Sequence, residues 1–376
     1  MTRISLPRRQ AGLTLVELMI SMAIGMIIVL AVITAYISAS RSARVAEATG
    51  RMNEDAQAAL TILTQQLRMA GANPAQPDRN TTTLHNILAN PFSIRGCDTT
   101  FSNVTAGSPT VAAGLTCPSG TGNSSISIGY EANRFNTVPT SGGIPTDCLG
   151  NSLPSVQQAV TSSLGVGATV TVYEAENRFY IGTSTYIASP SLYCKGNSPN
   201  TNPQPLVENI EAMRITYGVS NPARARDFGA NSPDVAPNFI LGYLTTSEML
   251  TSTVSLSGTA TFTVPSITTT SIGFLTPSFT LAQMVTGAAF VLPTNSGTVI
   301  SLPAGVAEAR VWGAVKAVRV CVLVRSEIGV LDQLKDQSNT ARPAQYVDCD
   351  GVLRDSSDGR LRRAYTATVV LRNQSP

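Results

Sequence analysis

Apolar side chains dominate the first part of the chain without interruption. Residues 13–39 carry one charge, Glu17, and the next charged residue is Arg41. About 20 predominantly apolar residues in a helix are enough to cross the ~30 Å hydrocarbon core of a bilayer. We therefore predict a transmembrane helix over 13–39. A charged carboxylate near the centre of a bilayer costs about 2.5–3.5 kcal/mol, so Glu17 is expected to serve a purpose.

The apolar pattern becomes periodic after Arg41, where hydrophobic residues recur at steps of three and four and polar residues fill the other faces. The stripe comprises Val45, Ala48, Met52, Ala56, Ala59, Leu63, Leu67 and Ala70. Gly71, followed by Asn73 and Pro74, is a typical helix end. The helix should thus continue through 40–71 as an amphipathic segment. At 1.5 Å per residue its two halves together would measure about 85–90 Å.

The remaining chain, 72–376, is rich in Thr, Ser, Gly, Asn and Pro, and predicts a β-rich head. Predicted strands are 125–130, 168–174, 178–182, 212–217, Val315–Arg325 and 365–372. A mostly antiparallel sheet packed on the apolar stripe satisfies both the sheet and the helix, which gives an α+β fold. Segment 222–306 is dense in Ser, Thr, Gly and Pro. We interpret it as a β-rich insertion, with a flexible linker as the alternative.

Residues 1–12 form a short leader that contains three arginines and no acid. A secretory signal has its small-residue cleavage site after the apolar run. Here the small residue, Gly12, precedes that run. Cleavage after Gly12 would leave Leu13 as the new N-terminus and keep the apolar helix on the mature protein. The basic flank predicts a cytoplasmic N-terminus, with everything beyond Arg41 outside the cytoplasm.

The segment Gly12-Leu13-Thr14-Leu15-Val16-Glu17-Leu18 resembles the class III leader and N-terminus of type IV pilins and pseudopilins. The resemblance implies that prepilin peptidase cleaves after Gly12 and methylates the new N-terminus. Leu13 stands where the family usually has Phe. The resemblance further implies that Glu17 pairs with the N-terminal amine of a neighbouring subunit, which gives the apolar helices their register in a filament.

Three blocks of the head resemble minor pilins of the PilW type, at 205–219, 312–326 and 362–373. This resemblance implies a minor pilin that takes part in pilus assembly, in a priming or tip complex. Its partners would be other minor pilins, the major pilin, prepilin peptidase, the inner membrane and, as a further candidate, a tip adhesin. The protein would sit in the inner membrane with a periplasmic head before it enters the pilus.

Two other functions remain open from the sequence. A minor pseudopilin of type II secretion, of the J type, shares the N-terminal segment and a β-rich head. An adhesin or DNA-uptake module carried on a pilin stalk would use the 222–306 insertion as its binding surface. The length of the chain and the three PilW-like blocks favour the pilus.

Six cysteines lie beyond the apolar segment, at Cys97, Cys117, Cys148, Cys194, Cys321 and Cys349. An even number in an exported domain indicates disulfides. Six cysteines allow 15 pairings. Pairing each with its nearest neighbour along the chain would join 97 to 117, 148 to 194 and 321 to 349, and the other pairings stay open.

Charge and motif content point away from catalysis and nucleic acid. The chain has 26 basic and 23 acidic residues, and loss of the three leader arginines would leave 23 of each. A neutral mature chain is not expected to bind nucleic acid. The chain has a single histidine, His85, and its sequence contains no nucleophile elbow, Walker A or dinucleotide fingerprint. We expect no enzyme activity, no cofactor and no metal.

Aspartates and arginines interleave near the C-terminus. Their glycine-containing spacing could supply calcium ligands but does not match an EF-hand loop, and a solvated turn is the favoured interpretation. The residues are Asp348, Asp350, Asp355 and Asp358, with Arg354, Arg360, Arg362 and Arg363.

Overall fold

The structure is a computed structural model of the 376-residue chain. It describes residues 14–72, 93–105, 114–162, 165–183, 188–199, 201–220, 240–251, 253–255, 278–280, 290–291, 299–300, 312–313, 315–331, 334–335 and 341–374.

One helix, α1 (Leu15–Met69), provides the long axis of the molecule. Its 55 residues span about 83 Å. Thr14 caps the start, and its side chain accepts a hydrogen bond from the Glu17 backbone N–H. Gly71 follows the end with a φ of 70°, a conformation that favours glycine. The predicted stop at Gly71 is therefore the observed one.

The described part of the head consists of strands and short helical segments. The strands are β1 (Ile94–Cys97), β2 (Ser125–Ala132), β3 (Ser155–Ser162), β4 (Gly165–Thr183), β5 (Pro190–Lys195), β6 (Gln204–Glu208), β7 (Ile210–Ser220), β8 (Ile240–Leu244), β9 (Thr253–Ser255), β10 (Ser278–Thr280), β11 (Phe290–Val291), β12 (Val299–Ile300), β13 (Val315–Arg325), β14 (Leu334–Lys335), β15 (Ala341–Arg342), β16 (Ala344–Val347), β17 (Leu353–Ser356) and β18 (Arg362–Val370). The helical segments include α2 (Thr246–Thr251) and a 3-10 turn (Arg372–Gln374).

Two sheets pack on the helix where one was expected. The larger has the order β1-β2-β4-β5-β6, with β3 paired to β4, and the smaller has the order β18-β13-β7-β8. Short two-stranded ladders join β9 to β10, β11 to β12, β14 to β15 and β16 to β17. Each pairing among the described residues is antiparallel.

The core lies between α1 and the inner faces of both sheets. Helix residues Met52, Ala56, Ala59, Leu63, Leu67 and Ala70 are buried, each at most 3% exposed, so most of the predicted stripe faces the head. Val318, Val320, Val322 and Val324 of β13 are at most 1% exposed. These four valines share one strand face, as the alternation in the sequence predicts.

Two strand predictions needed correction. Strand β4 runs unbroken through the region where the sequence suggested separate strands at 168–174 and 178–182. The polar residues between them, including Asn177, remain in the ladder because the structure buries them with partners: the Asn177 amide donates to the Gln66 side chain at 2.8 Å. The last predicted strand ends at Val370 instead of residue 372, because the chain then enters the 3-10 turn.

Part of segment 222–306 belongs to the head itself. Strand β8 pairs with β7, which makes it an edge of the smaller sheet. Met249 of α2 is fully buried in the same core. The described residues 240–251 therefore do not form a separate insertion, although most of 222–306 lies outside the described residues.

The interleaved aspartates and arginines lie in and around exposed turns, as predicted, and they also form ion pairs. Arg362 is only 9% exposed at its side chain and contacts both Glu211, at 2.6 Å, and Asp358, at 2.7 Å. Asp348 pairs with Arg354 at 2.8 Å, and Asp350 pairs with Arg214 at 3.2 Å. Among the described residues, no three Cys, His, Asp or Glu side chains are grouped to hold a metal.

Candidate functional site: the uncovered half of the helix

The first turn of α1 places Glu17 at a helix N-terminus. The Glu17 backbone N–H donates to the Thr14 side-chain oxygen at 3.3 Å. Thr14 and Glu17 have the spacing of a capping box, Thr-x-x-Glu. The positive end of the helix dipole also favours a carboxylate in this turn. Glu17 is thus compatible with helix formation at the point where the apolar run carries its only charge.

From Leu15 to Ile37 the helix has no cover from the rest of the described chain. Large apolar residues here are 44–74% exposed; they include Ile20, Ile24, Ile27, Leu30 and Ile33. The helix is long and apolar enough to cross a membrane. An apolar surface of this size is not stable in water, so lipid or other helices must cover it.

Gly25 sits in the middle of the uncovered half. A glycine there destabilises a helix by about 0.5–1 kcal/mol relative to alanine. A Cβ at Gly25 would meet nothing within 4 Å in this chain. Packing within the chain therefore does not require the glycine. A close approach by another helix would, since small residues let helix backbones come together.

Polar contacts fix the covered half of the helix to the head. The Tyr365 hydroxyl donates to the Asn53 side chain at 2.5 Å, and the Asn209 amide donates to Asp55 at 3.3 Å. Burial raises the pKa of Asp55, and the nearby carboxylates of Glu208, Glu54 and Glu327 raise it further, while the Asn209 hydrogen bond opposes the rise.

Asn209 is the residue of this junction that the sequence did not reveal. It lies between β6 and β7 with a φ of 62°. Its side chain accepts from Ser189 at 2.8 Å, and its backbone oxygen accepts from the Arg325 N–H at 3.0 Å. Asparagine tolerates the left-handed conformation better than most residues. The sequence signal for this conformation is an asparagine placed between two strand patterns.

The structure places the predicted site residues in three groups. Gly12 and Leu13, the processing residues, lie outside the described residues, as does His85. Glu17 lies exposed at the base of the stalk. The six cysteines form the pairs Cys97–Cys117, Cys148–Cys194 and Cys321–Cys349, which are the pairs that proximity along the chain gives.

Comparisons with known proteins match both halves of this architecture. A model of the prokaryotic N-terminal methylation motif matches residues 7–33. A model of Type IV Pilus-assembly protein W matches residues 178–258 and 287–373. A type IV-like pilin from Thermus thermophilus is similar in structure at 10% identity, with 88% of this chain and 99% of that chain covered and a TM-score of 0.30. No curated protein matches the chain significantly.

A methylation motif, an uncovered apolar helix and an antiparallel β-rich head define a pilin-class protein. The second family match is more specific. The three blocks expected from the sequence become strands β7, β13 and β18, which are neighbours in one sheet within the matched region. The chain belongs to the type IV minor pilins of the PilW type.

Proposed function

We propose that this protein is cleaved between Gly12 and Leu13, is held in the inner membrane with a periplasmic head, and joins a priming or tip complex of a type IV pilus. The observation that carries the proposal is the division of α1 into two halves. The head covers one side of the helix from Met52 onward and leaves Leu15 to Ile37 uncovered. The uncovered half suits lipid before assembly and neighbouring helices afterwards.

Glu17 would provide the specific contact in that helical core. A buried carboxylate without a partner either carries a desolvation penalty or takes up a proton. Cleavage would create a positively charged amine at Leu13, at the same end of the helix, and this amine can pair with a carboxylate. When it comes from a neighbouring subunit, the pair aligns two helices whose other surfaces are apolar and non-directional.

Gly25 supports the same proposal independently. It lies eight residues beyond Glu17, about 12 Å along the axis. Its lack of a side chain would let a neighbouring helix approach there. The charge pair would set the register, and the glycine would set the separation of the helices.

The experiment is mass spectrometry of the mature N-terminus, combined with fractionation of membranes and sheared pili. We expect an N-methylated Leu13 and the protein in both fractions. Retention of residues 1–12, or a chain found only in membranes of piliated cells, would contradict the proposal. A chain that copurifies with secretion components instead of pili would assign it to type II secretion.

A further inference from the structure

The end of the head farthest from the membrane-spanning segment is formed around the end of α1. Strand β2 runs past this point: the Gly71 N–H donates to Gly129 at 2.8 Å, and the Glu131 N–H donates to Ala72 at 2.8 Å. The chain then forms the loop 133–146. On the other side, the Asn373 amide donates to the Ala70 backbone oxygen at 3.2 Å. The start of the loop and the C-terminal 3-10 turn therefore both lie next to the residues that end the helix, and we call this end of the head the distal pole.

The loop is held in one conformation by its own hydrogen bonds. The Asn133 side chain accepts from the Phe135 N–H at 2.8 Å, and the Asn136 amide donates to Glu131 at 2.8 Å. The Thr146 hydroxyl donates to the Val138 backbone oxygen at 2.6 Å. The loop is thus pre-organised, which lowers the entropy lost when a partner binds.

This ordered loop presents apolar side chains to solvent. Phe135 is 83% exposed and Val138 is 81% exposed, the highest values among the large apolar residues of the described chain. The side chain of Arg134 lies over the Phe135 ring at 4.8 Å from its centre. Aromatic residues and arginine are both enriched in protein interfaces relative to the rest of the surface.

The charges of this pole are positive at the surface. Arg68, Arg134 and Arg372 are all exposed. Glu131 and Asp147, the acids that flank the loop in the sequence, are buried at 2% and 6% exposure. We call Phe135, Val138, Arg134, Arg68 and Arg372 the distal cap. Its apolar centre and cationic rim suit a surface that carries carboxylates.

The opposite end of the head carries such carboxylates. Glu54, Glu208 and Glu327 are exposed near Asp55, where the helix enters the head. Arg51 pairs with Glu327 at 3.2 Å and also with Glu47 at 2.8 Å. Residues 54 and 70 are about 24 Å apart along the axis. The proximal side of the head therefore bears exposed carboxylates with Arg51 and Arg325 among them, and the distal side bears exposed arginines.

We propose that the distal cap is the docking surface for the carboxylate-bearing proximal side of the next pilin-class subunit outward. Subunits whose stalk helices run parallel meet head to tail, and such contacts extend along a helical assembly. In that arrangement the cap of one head can face only the proximal side of a head farther from the membrane. This inference rests on the proposed function and adds the surface and the chemistry of the partner.

Photocrosslinking of the full-length chain in piliated cells tests the inference. A benzophenone amino acid replaces Val138 in one strain and, as a control, Leu353 in another. Leu353 is 58% exposed on β17, away from the cap. We expect adducts from position 138 that map to the proximal, carboxylate-bearing part of a processed pilin head, with at least tenfold less of that adduct from 353. An adduct with a non-pilin protein, or no adduct from 138, would overturn the inference.

A third probe at Ile24 separates this inference from the proposed function. Ile24 lies in the uncovered helix, 52% exposed, and should crosslink to another pilin helix in any assembly. Adducts from 24 without adducts from 138 would remove the docking surface and leave the minor-pilin function intact. Loss of the adducts from positions 24 and 138 would contradict both the docking surface and the minor-pilin function.

Charge variants test the chemistry of the cap with the probe at Val138 kept in place. Arg134→Glu combined with Arg372→Glu should lower the adduct at least about fivefold, whereas Arg134→Lys with Arg372→Lys should preserve it. Equal adduct yield from both pairs would show that the rim charges do not select the partner. Protein amount in the membrane fraction is measured alongside, so that an unfolded variant is recognised.

Discussion

At the scale of single residues, Gly71 sets the end of the stalk helix. Its φ of 70° is costly for other residues, and an added Cβ would lie 3.1 Å from the Ser93 Cβ. We expect Gly71→Ala to destabilise the head by about 1–2 kcal/mol. Gly50→Ala is the control, because Gly50 is inside the helix and a Cβ there would meet nothing within 4 Å.

The control should change stability in the opposite direction, by about 0.5–1 kcal/mol toward the folded state. Urea unfolding of the full chain in detergent measures both variants. Equal effects of the two substitutions would show that the helix end does not depend on the left-handed glycine.

Asp358 makes the stability of the head dependent on pH. Hydrogen bonds from Arg362 hold the pKa of the Asp358 carboxyl well below its usual range. A lowered folded-state pKa stabilises the folded protein above the unfolded pKa of about 4, and this stability is lost as pH falls below that value. We expect Asp358→Asn to destabilise at pH 7 and to flatten the loss of stability between about pH 4 and pH 2.

Melting temperatures of the wild type and of Asp358→Asn across this range test the point. Asp55 acts in the opposite direction, because its pKa is raised and its ionisation above that pKa disfavours the folded state. Because Asp55 is present in both the wild type and Asp358→Asn, its contribution cancels when the two proteins are compared. A wild type and variant that lose stability in parallel on acidification would contradict the role of Asp358.

At the scale of elements, the helix changes its role near Met52. Leu63 is 1% exposed against the head, whereas Leu30 is 57% exposed in the uncovered half. Leu63→Ala should destabilise the head by about 2–5 kcal/mol, since it removes buried methyl groups and leaves a cavity. Leu30→Ala changes the same side chain and should leave head unfolding unchanged. Similar losses of head stability from the two substitutions would contradict the division of the helix into a covered and an uncovered half.

Regular periodicity explains which elements the sequence predicted. The stripe from Met52 to Ala70 and the alternating valines of Val315–Arg325 each line the core, and such patterns can be read directly. The sequence predicts two strands in place of β4 because Glu174, Glu176 and Asn177 interrupt its apolar pattern. The burial of Glu176 and Asn177 depends on partners distant in the sequence, Ser127 and Gln66, and local pattern does not reveal tertiary hydrogen bonds.

The candidate site was predictable for a related reason. Glu17 stands out because one charge interrupts a long apolar run, and the helix start at Thr14 follows a short local rule. The distal cap gave no such signal. Phe135 and Arg134 belong to an ordinary polar loop in the sequence, and only the fold places that loop beside the end of the helix.

At the scale of the whole molecule, the head is built partly from the segment that looked like an insertion. Met249 is fully buried, although it lies within 222–306. We expect Met249→Ala to destabilise the head by about 2–4 kcal/mol. Met19→Ala is the control, since Met19 is 63% exposed on the uncovered helix. An unchanged melting temperature for Met249→Ala would mean that residues 240–251 are dispensable for the fold.

Assembly through the uncovered helix is the central claim, and Glu17→Gln tests it most directly. The substitution keeps the shape of the side chain and removes its charge, so the membrane pool and the stability of the head should stay as in the wild type. The measurement is the amount of this protein in sheared pili divided by the amount in membranes. We predict a fall of at least tenfold for Glu17→Gln. A ratio equal to that of the wild type would show that the head alone drives assembly.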